Sequence, residues 1–158
     1  MSEIRLMIEA EDVIQRTLFS GNIDVDSLNP MILTAQTTYL KSFLGLSLYN
    51  KIYEGVDNND LSGVYLTIYD EYVKDILSFQ TATLFVDFGG YKVSENGLHK
   101  ITGDNLQLLS EEEVAKLVLR YSKLTANVEA NFKEFVEPLD LPELKSISIN
   151  VDTDFPWH

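Results

Sequence analysis

The stretch GVYLTIYDEYVKDILSFQTATLFVD, Gly63 to Asp87, decides the fold. Tyr65, Ile68, Tyr69, Tyr72, Val73, Ile76, Phe79, Thr83 and Val86 recur at spacings of three and four, the period of one helix face. Beyond Ile76 the stretch is apolar around most of its circumference, so this helix is expected at the centre of a bundle, covered by others. The Gly89-Gly90 pair is expected to break it.

Helices are also legible on either side. Upstream, Glu9 to about Arg16 reads as a short helix that stops before the turn signal Gly21-Asn22. Asn29-Pro30 reads as an N-cap with proline at the first helical position, after which Ile32, Ala35, Gln36, Tyr39, Leu40 and Phe43 keep helical spacing. Gly45 is expected to end that helix in the left-handed conformation, with Leu46 folded back on Leu40. A short helix from Ser47 to about Glu54 is closed by Gly55, and Val56 to Leu61 reads as a loop. Downstream, Tyr91-Lys92-Val93 and Leu98-His99-Lys100-Ile101 flank Ser94-Glu95-Asn96-Gly97, which predicts a protruding β-hairpin at about 91–101. Ser110 and Glu113 have capping-box spacing and open a last helix, apolar at Val114, Leu117, Val118, Tyr121, Leu124, Val128, Phe132 and Phe135 until Pro138. At about 27 residues it is roughly 40 Å long.

The fold class is therefore all-α: a bundle of four to five helices with one protruding β-hairpin and an extended C-terminal arm. A helical domain over 1–138 is followed by the arm, 139–158. The expected core is Tyr39, Leu40, Phe43, Tyr69, Tyr72, Ile76, Phe79, Val118, Tyr121, Leu124 and Phe132.

Composition narrows the function. Twelve Lys and Arg against 25 Asp and Glu give a net charge of −13, which opposes adhesion to a polyanion. No Cys is present, which removes thiol catalysis, thiolate metal sites and disulfides. The start of the chain lacks a basic leader followed by an apolar stretch, and no run approaches the 18 or more apolar residues of a membrane span. The expectation is a chain synthesised in the cytoplasm, with no membrane partner. Asp24/Asp26 and Asp152/Asp154 lack the convergent oxygen ligands and glycine-turned loop that a hard cation needs, and Asp57-Asn58-Asn59-Asp60 reads as a turn. His99 has no positioned partner for acid–base work. No catalytic residue, cofactor or metal site is expected, and the chain is read as not an enzyme.

The arm carries a different signal. Ile147, Ile149 and Val151 alternate with Ser148 and Asn150, a strand pattern suited to addition along a neighbour's edge. Phe155 and Trp157 close the arm with side chains typical of interface hot spots. Together with Tyr91, Val93 and Leu98 of the expected hairpin, these are the candidate protein-interface residues.

The order of elements resembles a known family. The runs Tyr39-Leu40-Lys41-Ser42-Phe43-Leu44-Gly45, Leu48-Tyr49-Asn50-Lys51-Ile52 and Tyr72-Val73-Lys74-Asp75-Ile76-Leu77, with Gly90 to Leu98, resemble the head–tail connector (adaptor) proteins of tailed bacteriophages. The likeness is nearest to a branch from phages of Bacteroidetes, including crAss-like phages, and covers roughly Glu9 to Glu137. The resemblance implies a virion structural protein, assembled in the host cytoplasm as a homo-oligomeric ring of about twelve copies. Its implied partners are the portal protein and a tail or second ring protein, with DNA passing through the ring without specific binding. The competing expectation is a small acidic regulatory or inhibitory protein that binds a host protein.

Overall fold

A computed structural model describes residues 3–17, 25–92, 99–102, 105–108 and 110–144. Among these the chain is a helical bundle. An extended N-terminal segment leads into α1 (Ala10–Arg16). A continuous helical rod follows, comprising α2 (Val25–Thr34), a π-helical segment (Ala35–Leu40) and α3 (Lys41–Leu44). After α4 (Leu46–Asn58), a second rod comprises α5 (Gly63–Ile68), another π segment (Tyr69–Val73) and α6 (Lys74–Lys92). β1 (His99–Thr102) and β2 (Asn105–Leu108) come next, then α7 (Glu111–Val136) and a 3-10 turn (Glu137–Leu139).

The second rod is central, as its apolar circumference demands. Ile68, Val73, Ile76 and Leu77 are fully buried, together with Leu28, Ile32 and Leu40 of the first rod and Leu48 and Ile52 of α4. Helix α7 lies antiparallel along it: Phe79 stacks on Tyr121 at 6.4 Å, and Tyr72 meets Phe132 at 5.7 Å and Phe135 at 5.3 Å. Phe43 closes this aromatic cluster against Phe132 at 5.4 Å. Helix α1 is fastened to α6 by Arg16, whose Nε donates to Asp75 Oδ1 at 2.8 Å. The Ser110 hydroxyl caps α7, accepting from the Glu113 N–H at 3.1 Å.

Several boundaries differ from the sequence expectation, each for a local reason. Helix α2 begins at Val25, so Pro30 sits in its second turn. The lost backbone donor is outweighed by burying Leu28, which lies upstream of the proline and is 0% exposed. Gly45 has φ 79° and ψ 157°, so the chain restarts directly into α4 and leaves Leu46 57% exposed, not folded on Leu40. Helix α4 continues to Asn58 and ends on left-handed Asn59 (φ 55°, ψ 42°), so Val56 to Asn58 are helical. Gly55 is buried inside α4, where Leu61 crosses so closely that an added Cβ would lie 2.6 Å from Leu61 Cγ. Helix α6 passes through Gly89-Gly90 to Lys92, because glycine weakens a helix without removing its hydrogen bonds.

The hairpin expected at 91–101 is not found there. Tyr91 and Lys92 are the last turn of α6, and 93–98, including Val93 and Leu98, lie outside the described residues. The pairing that is present is a short antiparallel ladder from His99↔Leu108 to Thr102↔Asn105.

The first residues of the expected arm, 139–144, are described. Leu141 is buried at 8% exposure, Leu144 packs on the same core, and the Tyr65 hydroxyl donates to Glu143 at 2.8 Å. Residues 139–144 therefore belong to the bundle, while 145–158, with Ile147, Ile149, Val151, Phe155 and Trp157, lie outside the described residues.

Leu124 corrects the core assignment. Helix α7 buries Tyr121, Thr125, Phe132 and Val136, and Leu124 stands 36% exposed beside that seam. Thr125 takes the inward position because its hydroxyl bonds the Tyr121 carbonyl at 2.9 Å, which satisfies its one polar group within the helix. Leu40→Ala is expected to cost about 2–5 kcal/mol, whereas Leu124→Ala costs about 1 kcal/mol or less, as at partly exposed positions. Urea unfolding of the two variants checks the difference.

Candidate functional site

The most constructed part of the molecule is where the N-terminal segment enters the bundle. Met7 and Ile8 are each 2% exposed, although no regular element carries them. An irregular segment brought into a core must find partners for its peptide groups. Here side chains supply them. Gln36, 0% exposed in the first π segment, accepts from the Met7 N–H through Oε1 at 2.7 Å and donates through Nε2 to the Arg5 carbonyl at 2.9 Å. The Tyr53 hydroxyl accepts from the Arg5 N–H at 3.1 Å, and the Tyr69 hydroxyl donates to the Met7 carbonyl at 2.5 Å. Both backbone groups of Arg5 and of Met7 are thus held by three side chains from three helices.

The segment forms one wall of a cleft of about 330 Å³. Gly55, Val56, Asn59, Leu61, Leu66 and Tyr69 also line it. At its rim the Arg5 guanidinium donates to the Asp57 carbonyl at 3.1 Å, and Glu9 and Asp12 form a reciprocal cap at the start of α1. Burial, and then the Asp12 and Asp70 carboxylates, push the Tyr69 phenol up to about 12. A smaller cavity of about 150 Å³ adjoins it, lined by Glu54, Asp60, Lys51 and Tyr65 and sharing Gly55 and Leu61 with the first. Burial, then Glu143, raises the Tyr65 phenol. On another face, a shallow groove of about 510 Å³ runs over Tyr39, Phe43, Gln80 and Glu129. There the Tyr39 hydroxyl donates to Glu129 at 2.6 Å, and burial with that bond raises its phenol well above the usual range.

Among the described residues no three or more His, Cys, Asp or Glu converge as metal ligands. No described helix is long and apolar enough to cross a membrane. The cleft mixes polar Arg5, Glu9, Asp12 and Asn59 with apolar Val56, Leu61 and Leu66. Of the sequence-predicted interface residues, only Tyr91 has a described position, on α6. The cleft was missed because Met7 and Ile8 carry no periodicity. The signal that could have found it is Gln36, a polar residue in phase with Ile32, Leu40 and Phe43.

Residues 40–138 match a family described as Family of unknown function (DUF6712). The chain belongs to this family. No curated protein and no solved structure matches it. The DUF6712 span takes in Tyr53, Gly55, Leu61 and Tyr69 of the cleft and ends at the proline that follows α7. Gln36 and the N-terminal segment precede it, so the cleft is assembled across the edge of the DUF6712 span.

Gln36→Leu, similar in size, leaves the Met7 N–H and Arg5 carbonyl without partners. The expected cost is about 1–3 kcal/mol for the buried Met7 N–H, with a smaller addition for the part-buried Arg5 carbonyl, read from the shift in urea midpoint. Tyr53→Phe, which touches only the exposed Arg5 N–H, is expected to cost less.

Alkaline pH tests Tyr69. Its folded pKa of about 12 lies above the ordinary 10.0, so its contribution is complete below pH 10 and is lost as pH rises towards 12. Stability is expected to fall across that window, and less steeply in Tyr69→Phe. Melting points measured alongside the tyrosinate absorbance check this.

Proposed function

We propose that the chain is a virion structural protein, a head–tail connector subunit that closes into a ring between the portal protein and a tail or second ring protein. The reading rests on the phage-connector resemblance of the runs Tyr39–Gly45, Leu48–Ile52 and Tyr72–Leu77. The observation that carries it is that these runs form one packed unit. The first two meet at the Gly45 junction, and Leu40, Leu44, Leu48, Ile52, Ile76 and Leu77 share a single core.

A rigid unit of this kind suits a part whose work is to hold position. A ring needs two different surfaces on each subunit so that successive copies close head to tail. The charge of −13 favours a passage through which DNA slides, since like charge opposes adhesion. Phe155 and Trp157, at the end of the chain, are residue types that anchor protein contacts.

Light scattering of the purified chain, alone and mixed with a portal ring, tests the proposal. The expected result is a closed oligomer or its formation on the portal. A monomer or dimer indifferent to the portal overturns it and leaves the acidic regulatory protein as the better reading.

A further inference from the structure

Helix α7 turns one side to the bundle and leaves the other uncovered. Tyr121 and Thr125 mark the buried side. Leu119 and Lys123 each stand two residues from Tyr121, about 200° round the helix, so they face away from the core. Leu119 is 56% exposed and Leu124 36%. Lys116 and Lys123 flank Leu119 at three and four residues, and Arg120 has the same spacings to Lys123 and Leu124, so cations and leucines share one surface. From Val114 to Val128 the sequence holds these three cations and no acid. Lys116 is paired with Glu112 at 3.2 Å, whereas Arg120 and Lys123 have no ion-pair partner among the described residues.

The far end of the same helix carries the opposite pattern. From Glu129 to Glu143 the sequence holds five acids against one cation, Lys133, which lies over the Phe43 ring at 5.9 Å. Glu129 and Glu143 are engaged by the Tyr39 and Tyr65 hydroxyls, while Glu134, Glu137 and Asp140 are exposed. Leu139 stands among them at 39% exposure. The two patterns cannot meet within one molecule. Lys123 and Glu134 are about 16 Å apart along a single helix, and Leu119 and Leu139 about 30 Å. Exposed charges at such separations are largely screened from each other.

We propose that these two surfaces are the halves of a contact between copies of this chain. Leu139 of one copy packs between Leu119 and Leu124 of the next, and Glu134 and Glu137 approach its Arg120 and Lys123. Copies with a net charge of −13 repel in most orientations, and unlike patches overcome that in one alignment only. The halves differ, so the contact runs head to tail, and each copy keeps one half for a further neighbour. The choice of a second copy over another acidic protein rests on the connector reading, which the contact deepens by naming the surfaces that meet.

Charge reversal in the full chain, read by light scattering, tests the contact. The unmodified chain is expected to associate at low salt, and at least tenfold more weakly at about 0.5 M salt, where exposed charges are screened. Two double variants, Arg120→Glu with Lys123→Glu and Glu134→Lys with Glu137→Lys, are each expected to stay monomeric with the helical signal unchanged, since each sets like charge against like. Their equal mixture is expected to associate as the unmodified chain does, because the reversed head of one meets the reversed tail of the other. Variants that associate singly as well as the unmodified chain overturn the contact and leave the connector reading to other surfaces. A mixture that stays monomeric, or association indifferent to salt, overturns it too. An unmodified chain that associates, is dissociated by both reversals and ignores a portal ring keeps the contact and removes the connector reading.

Discussion

Four peptide groups of Arg5 and Met7 have no strand or helix to pair with, and the rest of the structure is arranged around answering them. Gln36 reaches them only because it is buried on the first rod, Tyr53 because α4 runs on past Ile52, and Tyr69 because the central rod places its phenol beneath the segment. Once those groups are satisfied, Met7 enters the core with both its peptide groups paired, and Met7 and Ile8 join the same apolar interior as Val13 and Ile32. The arrangement is cooperative, since each side chain comes from a different helix and loss of one leaves the others holding a looser segment.

Much of the bundle was legible in the sequence, and the reasons are specific. The central rod showed itself through its period, and α7 through its apolar seam and the Ser110 cap, because burial on one side leaves a mark every three or four residues. Leu124 was misread since hydropathy favours leucine over threonine, whereas a threonine that bonds its own helix costs little when buried. The early start of α2 was hidden for a related reason. Tertiary burial outweighs local propensity when a residue such as Leu28 has a core position to fill. The cleft was the least legible part. An extended segment held by side chains has neither period nor motif, and its one trace was an inward-facing glutamine.

The ends of the described chain converge on the same region. The N-terminal segment forms one wall of the cleft, and the last described residues are bonded to Tyr65 close by. Membership of DUF6712 covers the helical framework between them, from Leu40 to Pro138. That framework supplies Gly55, whose missing side chain lets Leu61 close on α4, and both residues line the cleft.

The two π segments bear on how this chain tolerates changes in length. Each ends in a backbone bond five residues long, Lys41 to Gln36 in the first rod and Lys74 to Tyr69 in the second. A residue accommodated in this way advances the helix by about 100° without adding to the regular ladder. Side chains before and after each segment are therefore set at an angular offset that an unbroken α-helix could not give. In the first rod that offset lets Ile32 and Leu44 both face the core while Gln36 turns to the N-terminal segment. Removing one residue from Ala35–Leu40 would shorten the rod very little, yet it would rotate one half of its face away from the interior. The rods act as phase correctors, and their sensitivity is to rotation rather than to length.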